Sequence, residues 1–332
     1  SLANSILLAG RNNPSIAIQS LNGNNTILGA ISLASGGEFY RIHVNAGSEL
    51  TLGTQATTAI NSAATGSRIV TLEGEGTGVV AGPIVDGSAT LGVVKAGPGT
   101  WTLSNVNFYT GPTTVLEGTL LVNGSTSLGA VTVEGGALGG TGTIGGAVTV
   151  NSGGTLAPGD GVGTLSINGA LTLDAGATSV FEVNGSTQAH DVVAAGSTVT
   201  YGGILRIVPS GVFSKGQTFA LFTGAGAASA SNFASIEGNP GNGLAFAFSN
   251  GVLSVVEAPV GPVAALLTNS ISGNNLSLSW PAGEGWRLQM QITDRTLGLR
   301  DEWVDITDGS VSSTNITISP AHEAVFFRLV NP

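Results

Sequence analysis

From residue 94 to residue 124 the chain reads VKAGPGTWTLSNVNFYTGPTTVLEGTLLVNG, short runs of β-branched and apolar residues broken every few positions by a glycine turn. Such punctuation leaves no room for a long helix and restricts the chain to stacks of short strands. The cadence recurs. Ala130-Val131-Thr132-Val133 returns as Ala147-Val148-Thr149-Val150, an offset of 147 minus 130, or 17 residues. Gly135-Gly136-Ala137-Leu138 returns as Gly153-Gly154-Thr155-Leu156 at a similar spacing. Between these runs stand Asn123-Gly124, Asn151-Ser152-Gly153-Gly154, Asn168-Gly169 and Asn184-Gly185, turn pairs that tolerate positive φ. Hairpins use the same turns, so an antiparallel meander stays open on this signal alone. Recurrence at a short fixed period favours a solenoid, in which each coil buries its apolar side against the next.

The stretch from Val94 to Gly124 resembles the autotransporter-associated beta strand repeat. The pieces that carry the likeness are Lys95-Ala96-Gly97-Pro98-Gly99-Thr100, Leu103-Ser104, Tyr109-Thr110-Gly111-Pro112-Thr113 and Gly118-Thr119-Leu120-Leu121-Val122-Asn123-Gly124. Leu156-Ala157-Pro158-Gly159 leading into Gly163-Thr164-Leu165, and His190-Asp191-Val192-Val193 leading into Gly202-Gly203-Ile204-Leu205, are similar to passenger regions of that family. The likeness covers roughly residues 70–256. It implies an all-β, right-handed parallel β-helix carried outside a bacterial cell, extracellular or on the cell surface. Autotransporters end in a membrane barrel of at least eight strands. The closing run Phe326-Phe327-Arg328-Leu329-Val330-Asn331-Pro332 is too short for one, so self-secretion is not expected of this stretch.

Composition narrows the partners. With only ten Lys and Arg and a formal charge of -10, the chain lacks the basic clusters that nucleic acid requires. No cysteine means no disulfide, thiolate metal site or thiol nucleophile. Hydrophobic residues make up 42% of the chain but are scattered in short runs, which argues for a packed core and against a membrane span. Ser1 opens the sequence with no basic or long apolar leader, so any signal peptide is expected to lie outside this stretch.

We read residues 1–256 as the β-helix, with less regular first coils over 1–69 and repeat-like coils over 70–256. At 17 to 25 residues per coil, the rod is expected to be on the order of 50 to 70 Å long. Residues 257–263 carry Pro259 and Pro262 and read as a linker. Residues 264–332 hold three of the four tryptophans and read as a small immunoglobulin-like antiparallel β-sandwich. Trp280, Trp286 and Trp303 either pack its core or form a platform for glycans.

Candidate chemistry is sparse. Asp86, Asp160, Asp174 and Asp191 are dispersed. Glu73 and Glu75 share a strand face at i, i+2, a pattern as suited to a solvated face as to paired acid and base. His43, His190 and His322 are isolated in sequence, and neighbouring His190 and Asp191 should point to opposite faces. No cofactor, metal site or catalytic residue is expected; Asp301, Glu302, Asp305 and Asp308 suggest at most a weak, exposed calcium contact. Lys95 and Lys215 are the only lysines placed for an isopeptide link, and none is expected.

The uncharged opening segment, with Leu2, Ile6, Leu7 and Leu8, is either an assembly contact with another copy or the continuation of earlier coils. The leading reading is a non-enzymatic structural protein, a rod subunit of a bacterial surface fibre, sheath or matrix that self-assembles head to tail. Two alternatives are an adhesin that shows its C-terminal module to glycans or a surface, and a polysaccharide-acting β-helix enzyme.

Overall fold

In a computed structural model the described residues are 1–258 apart from 38, 225, 228, 230 and 242, together with 266–282, 285–293, 302–319 and 324–330. They form two compact units, Ser1–Ala258 and Pro259–Pro332. Strands are the only regular elements among these residues.

The first unit is a parallel β-helix. Each coil lays down up to three short strands, and like strands of successive coils pair in register. The first face holds nine strands, from Ile18–Ser20 to Val199–Thr200. The second holds ten, from Asn24–Ile27 to Ser235–Glu237. The third is a run of three strands beginning at Ile6–Ala9 and, further along, a run of five from Ser125–Thr126 to Phe222–Thr223. The 17-residue recurrence is one coil: Val131, Thr132 and Val133 pair in parallel with Val148, Thr149 and Val150. The meander is thereby excluded for these residues.

Alternation within each three-residue strand decides what is inside. Val131 and Val133 are buried while Thr132 is half-buried on the outer face. Stacking repeats the choice, so an outward column runs Thr114, Thr132, Thr149, Thr172, Thr200. β-branched threonine suits an exposed strand position and packs against its like on the next rung. Inward columns are aliphatic, and each fully buried Val, Leu or Ile contributes about 1.5–3 kcal/mol against an exposed reference.

Coils vary in length more than the repeat suggests. His43 pairs with Glu73, 30 residues on (73 minus 43). Fewer coils therefore fit, and nine steps of about 4.8 Å make the second face about 43 Å long, shorter than expected.

The last strands of residues 1–256 depart from the coil. Thr218–Ala220, Val252–Glu257 and Leu244–Ser249 form an antiparallel sheet. Beneath it Phe222, Tyr201, Phe233 and Phe248 meet ring to ring, with Tyr201 to Phe222 at 5.0 Å and Phe233 to Phe248 at 5.0 Å. A parallel coil ends in unpaired rung groups, and an antiparallel hairpin over an aromatic plug covers them.

The C-terminal unit has two three-stranded antiparallel sheets. One comprises Thr268–Ser272, Asn275–Ser279 and Ser313–Thr317, the other Val304–Asp305, Arg287–Thr293 and Ala324–Val330. Leu278, Trp280, Trp286 and Leu288 form their shared core. Residues 259–263 of the expected linker lie outside the described residues.

Candidate functional site

Ionisable side chains gather in one place on the solenoid, where the first face passes from the early coils into the repeat. Arg41 and His43 share an outer strand face, and Thr71 and Glu73 sit beside them on the next coil. Arg41 Nη2 donates to Glu73 Oε2. His43 lies between two carboxylates, with Nδ1 3.5 Å from Glu73 Oε1 and Nε2 3.4 Å from Glu75 Oε2. The Glu73 side chain is only 5% exposed and Glu75 53%. Glu73 is therefore not on a solvated face, because the 30-residue coil brings Arg41 and His43 over it. These side chains line a groove with Ser15, Gly97 and Glu117.

Directly inside the groove is Lys95, fully buried. It takes a core position, between Leu72 on one coil and Val115 on the next. Its Nζ donates to Ala96 O at 2.9 Å, Gly97 O at 2.6 Å and Glu117 O at 2.9 Å. Burial pushes its pKa down to about 8, against the upward pull of Glu117 and Glu73. Gly118 closes the same corner at φ 67°, where a Cβ would stand 2.4 Å from Gly97 O. The lysine thus ties main-chain carbonyls of two coils together and is withdrawn from solvent.

Of the dispersed carboxylates, Asp86, Asp160 and Asp191 are committed to hydrogen bonds. Asp86 accepts from Leu91 N, Thr110 N and Thr110 Oγ1. Asp191 is buried and accepts from Gly163 N at 2.9 Å and Glu182 N at 2.7 Å, tying the short hairpin 184–189 to the coil. Burial raises its pKa above the usual carboxylate range, opposed by those two amides. His190 turns elsewhere, with Nδ1 2.8 Å from Gln188 O. Asp305 binds Arg287 and Gln289, and Asp308 accepts from Ser310. Asp301 and His322 lie outside the described residues. Among those described, no three acidic or histidine side chains converge as a metal would need.

The residues singled out for contact are placed as follows. Ile6–Ala9 is a rung of the solenoid, paired with Ile31–Ala34. Leu8 belongs to the core, and Ile6 packs against it. Leu2 and Leu7 are exposed, at 45% and 71%. Trp280 and Trp286 are buried in the C-terminal core, while Trp303 is half-buried beneath Arg328, whose guanidinium carbon is 4.2 Å from the ring centre. No shared tryptophan platform forms from these three. Sequence reasoning missed Arg41 and the structural use of Lys95; the lysine stood in the repeat motif, but its carbonyl partners belong to no residue pattern.

The family model described as the passenger-associated-transport-repeat matches residues 93–122. The chain carries an autotransporter-associated repeat. The matched segment spans one full coil and the first two strands of the next, so the passenger repeat is a coil unit, with Lys95 and Gly118 at the corner just described. No curated protein matches the chain.

Proposed function

We propose that this is an extracellular structural protein, a β-helical rod subunit of a bacterial surface fibre, sheath or matrix. The observation that carries the reading is the interior of the coil. Its inward positions from Ile31 to Leu205 are filled mostly by apolar side chains, with the small hydroxyls of Ser62, Thr113, Thr126 and Ser179 among them and Lys95 held by carbonyls, and its outer faces present columns of threonine and other small residues. The passenger repeat supports export to the surface. On this reading the chain carries out no turnover, and its carboxylates hold coils and corners in place.

The partner on this reading is a second copy of the chain. Ile6–Ala9 and Ile18–Ser20 each end a sheet and offer a free edge to an added strand, whereas the edge of Asn24–Ile27 is already met by Leu2, which bridges Ile27. Coils preceding Ser1 in a longer chain would take the same edges. The antiparallel hairpin at the other end does not favour simple head-to-tail stacking of coils, so growth would run through lateral contact or between like ends.

Protease treatment of intact producing cells tests the location: cleavage with cytoplasmic markers untouched is expected, and complete protection would sink the proposal. Electron microscopy of the purified chain tests the assembly, with regular fibres or sheets expected. The adhesin alternative rests on Trp303, since Trp280 and Trp286 are spent on packing. Saturable sugar binding that disappears in Trp303→Ala would favour it.

A further inference from the structure

The chain contains six Asn-Gly dipeptides, and the fold treats them unequally. At Asn123 and Asn184 both halves of the pair are tied. Gly124 N donates to Leu103 O and Gly185 N to Ser210 O, each at 2.9 Å. Asn123 Oδ1 accepts from Thr141 N at 3.1 Å while its Nδ2 donates to Asp160 at 3.1 Å. Asn184 Oδ1 accepts from Ser186 N and Thr187 N, at 3.0 and 2.9 Å. Asn250 and Gly251 are the central pair of a two-residue hairpin turn, with φ of 49° and 84°. Asn242 lies outside the described residues. Asn22 and Asn168 differ from Asn123 and Asn184. Both are exposed, neither side chain makes a hydrogen bond, and neither Gly23 N nor Gly169 N has an acceptor among the described residues. Asn250 shares these free groups but is held at positive φ in its two-residue turn.

We infer that Asn22 and Asn168 are sites of spontaneous succinimide formation and isoaspartate insertion in the folded protein, whereas Asn123 and Asn184 are protected. The glycine amide nitrogen gives up its proton to solvent base and attacks the asparagine Cγ. A N–Cγ bond forms, the Cγ–Nδ2 bond breaks, and ammonia leaves with a proton from water. Water then adds to one of the two imide carbonyls and opens the ring. Attack at one carbonyl gives aspartate, and attack at the other gives isoaspartate, whose backbone is longer by one carbon. Water is the only co-reactant and nothing is oxidised. Glycine leaves the nitrogen open to approach because it has no Cβ. An amide that already donates a hydrogen bond, next to a side chain held away from it, must first be released by local opening of the fold.

The two sites differ in consequence. Gly23 faces open space, with no atom within 4 Å of a Cβ position, and its main chain is held by Glu49 N donating to Gly23 O at 3.0 Å. Gly169 is pressed on the preceding coil, where a Cβ would stand 2.4 Å from Ala147 N, and Asn168 N donates to Ile144 O at 2.9 Å. An added carbon at that corner shifts Leu171–Leu173 against Val148–Val150.

The test is peptide mapping by mass spectrometry, with isoaspartate detection, on the full chain held at mildly alkaline pH, folded and in urea. In the folded chain Asn22 and Asn168 should react at least about tenfold faster than Asn123 and Asn184, the factor given by about 1.4 kcal/mol of local opening free energy. In urea the spread should collapse, and Asn168→Gln should remove the signal from its peptide. Asn123 or Asn184 keeping pace with Asn168 in the folded chain, or silence at Asn22 or Asn168, would overturn the inference.

Discussion

Trp101 is fully buried in the second face because the residue beside it on the previous coil, Gly78, has no side chain. A Cβ on Gly78 would lie 2.2 Å from the indole Cδ2. Gly78→Ala should therefore cost about 1–3 kcal/mol by overpacking, read as a lowered urea midpoint. In a double-mutant cycle much of that cost should vanish on a Trp101→Leu background, because the clash belongs to the pair. Lys95 gives a second prediction at this scale. Lys95→Met leaves three carbonyls without their donor and should cost about 1–3 kcal/mol near neutral pH. The pH dependence has a definite sign. Burial holds the folded lysine at about 8, below its ordinary 10.5. Between those values the unfolded chain keeps a proton that the folded one has shed, so the stability of the native protein rises with pH across that window. Lys95→Met lacks the group, and the gap between the two proteins should widen from about pH 8 upward; a constant gap in urea titrations would contradict the assignment.

Among the elements, the pairing of early coils with the repeat depends on Arg41, His43 and Glu73. Arg41→Ala strands a carboxylate that is almost fully buried and should cost about 1–3 kcal/mol, less than a fully buried pair because the Arg41 side chain stays 29% exposed. Glu73→Gln, which keeps the shape without the charge, should cost less; equal losses would argue against a stranded charge. This cluster could not be read from the sequence because its members are 30 residues apart, and that coil length matches no recurrence in the repeat. The 17-residue coil was legible for the opposite reason. Val131, Val133, Val148 and Val150 repeat the same inward choice at the same interval, and the glycines mark the corners. The hairpin over residues 218–257 was not legible, since a short apolar strand such as Leu244–Ser249 has the same composition in parallel and antiparallel pairing. The C-terminal tryptophans announced a core through their number, but composition alone did not separate packing from display.

For the molecule as a whole, two units with separate cores should unfold as two transitions. Phe222→Ala, which hollows the aromatic plug, should lower only the larger transition, by about 3–5 kcal/mol. Trp286→Ala should lower only the smaller one, by a comparable amount. Calorimetry on the two variants separates these outcomes, and a single transition shifted by both substitutions would show the cores to be coupled.

The antiparallel hairpin also bears on how such a protein can change over generations. A stack of like coils has no natural length, since each layer offers the next the same template. Once Thr218–Ala220, Leu244–Ser249 and Val252–Glu257 turn back on themselves, that template is gone. Gene duplication can therefore lengthen or shorten the stack only ahead of this terminator, and lineages should differ in their number of layers while sharing the same finishing piece.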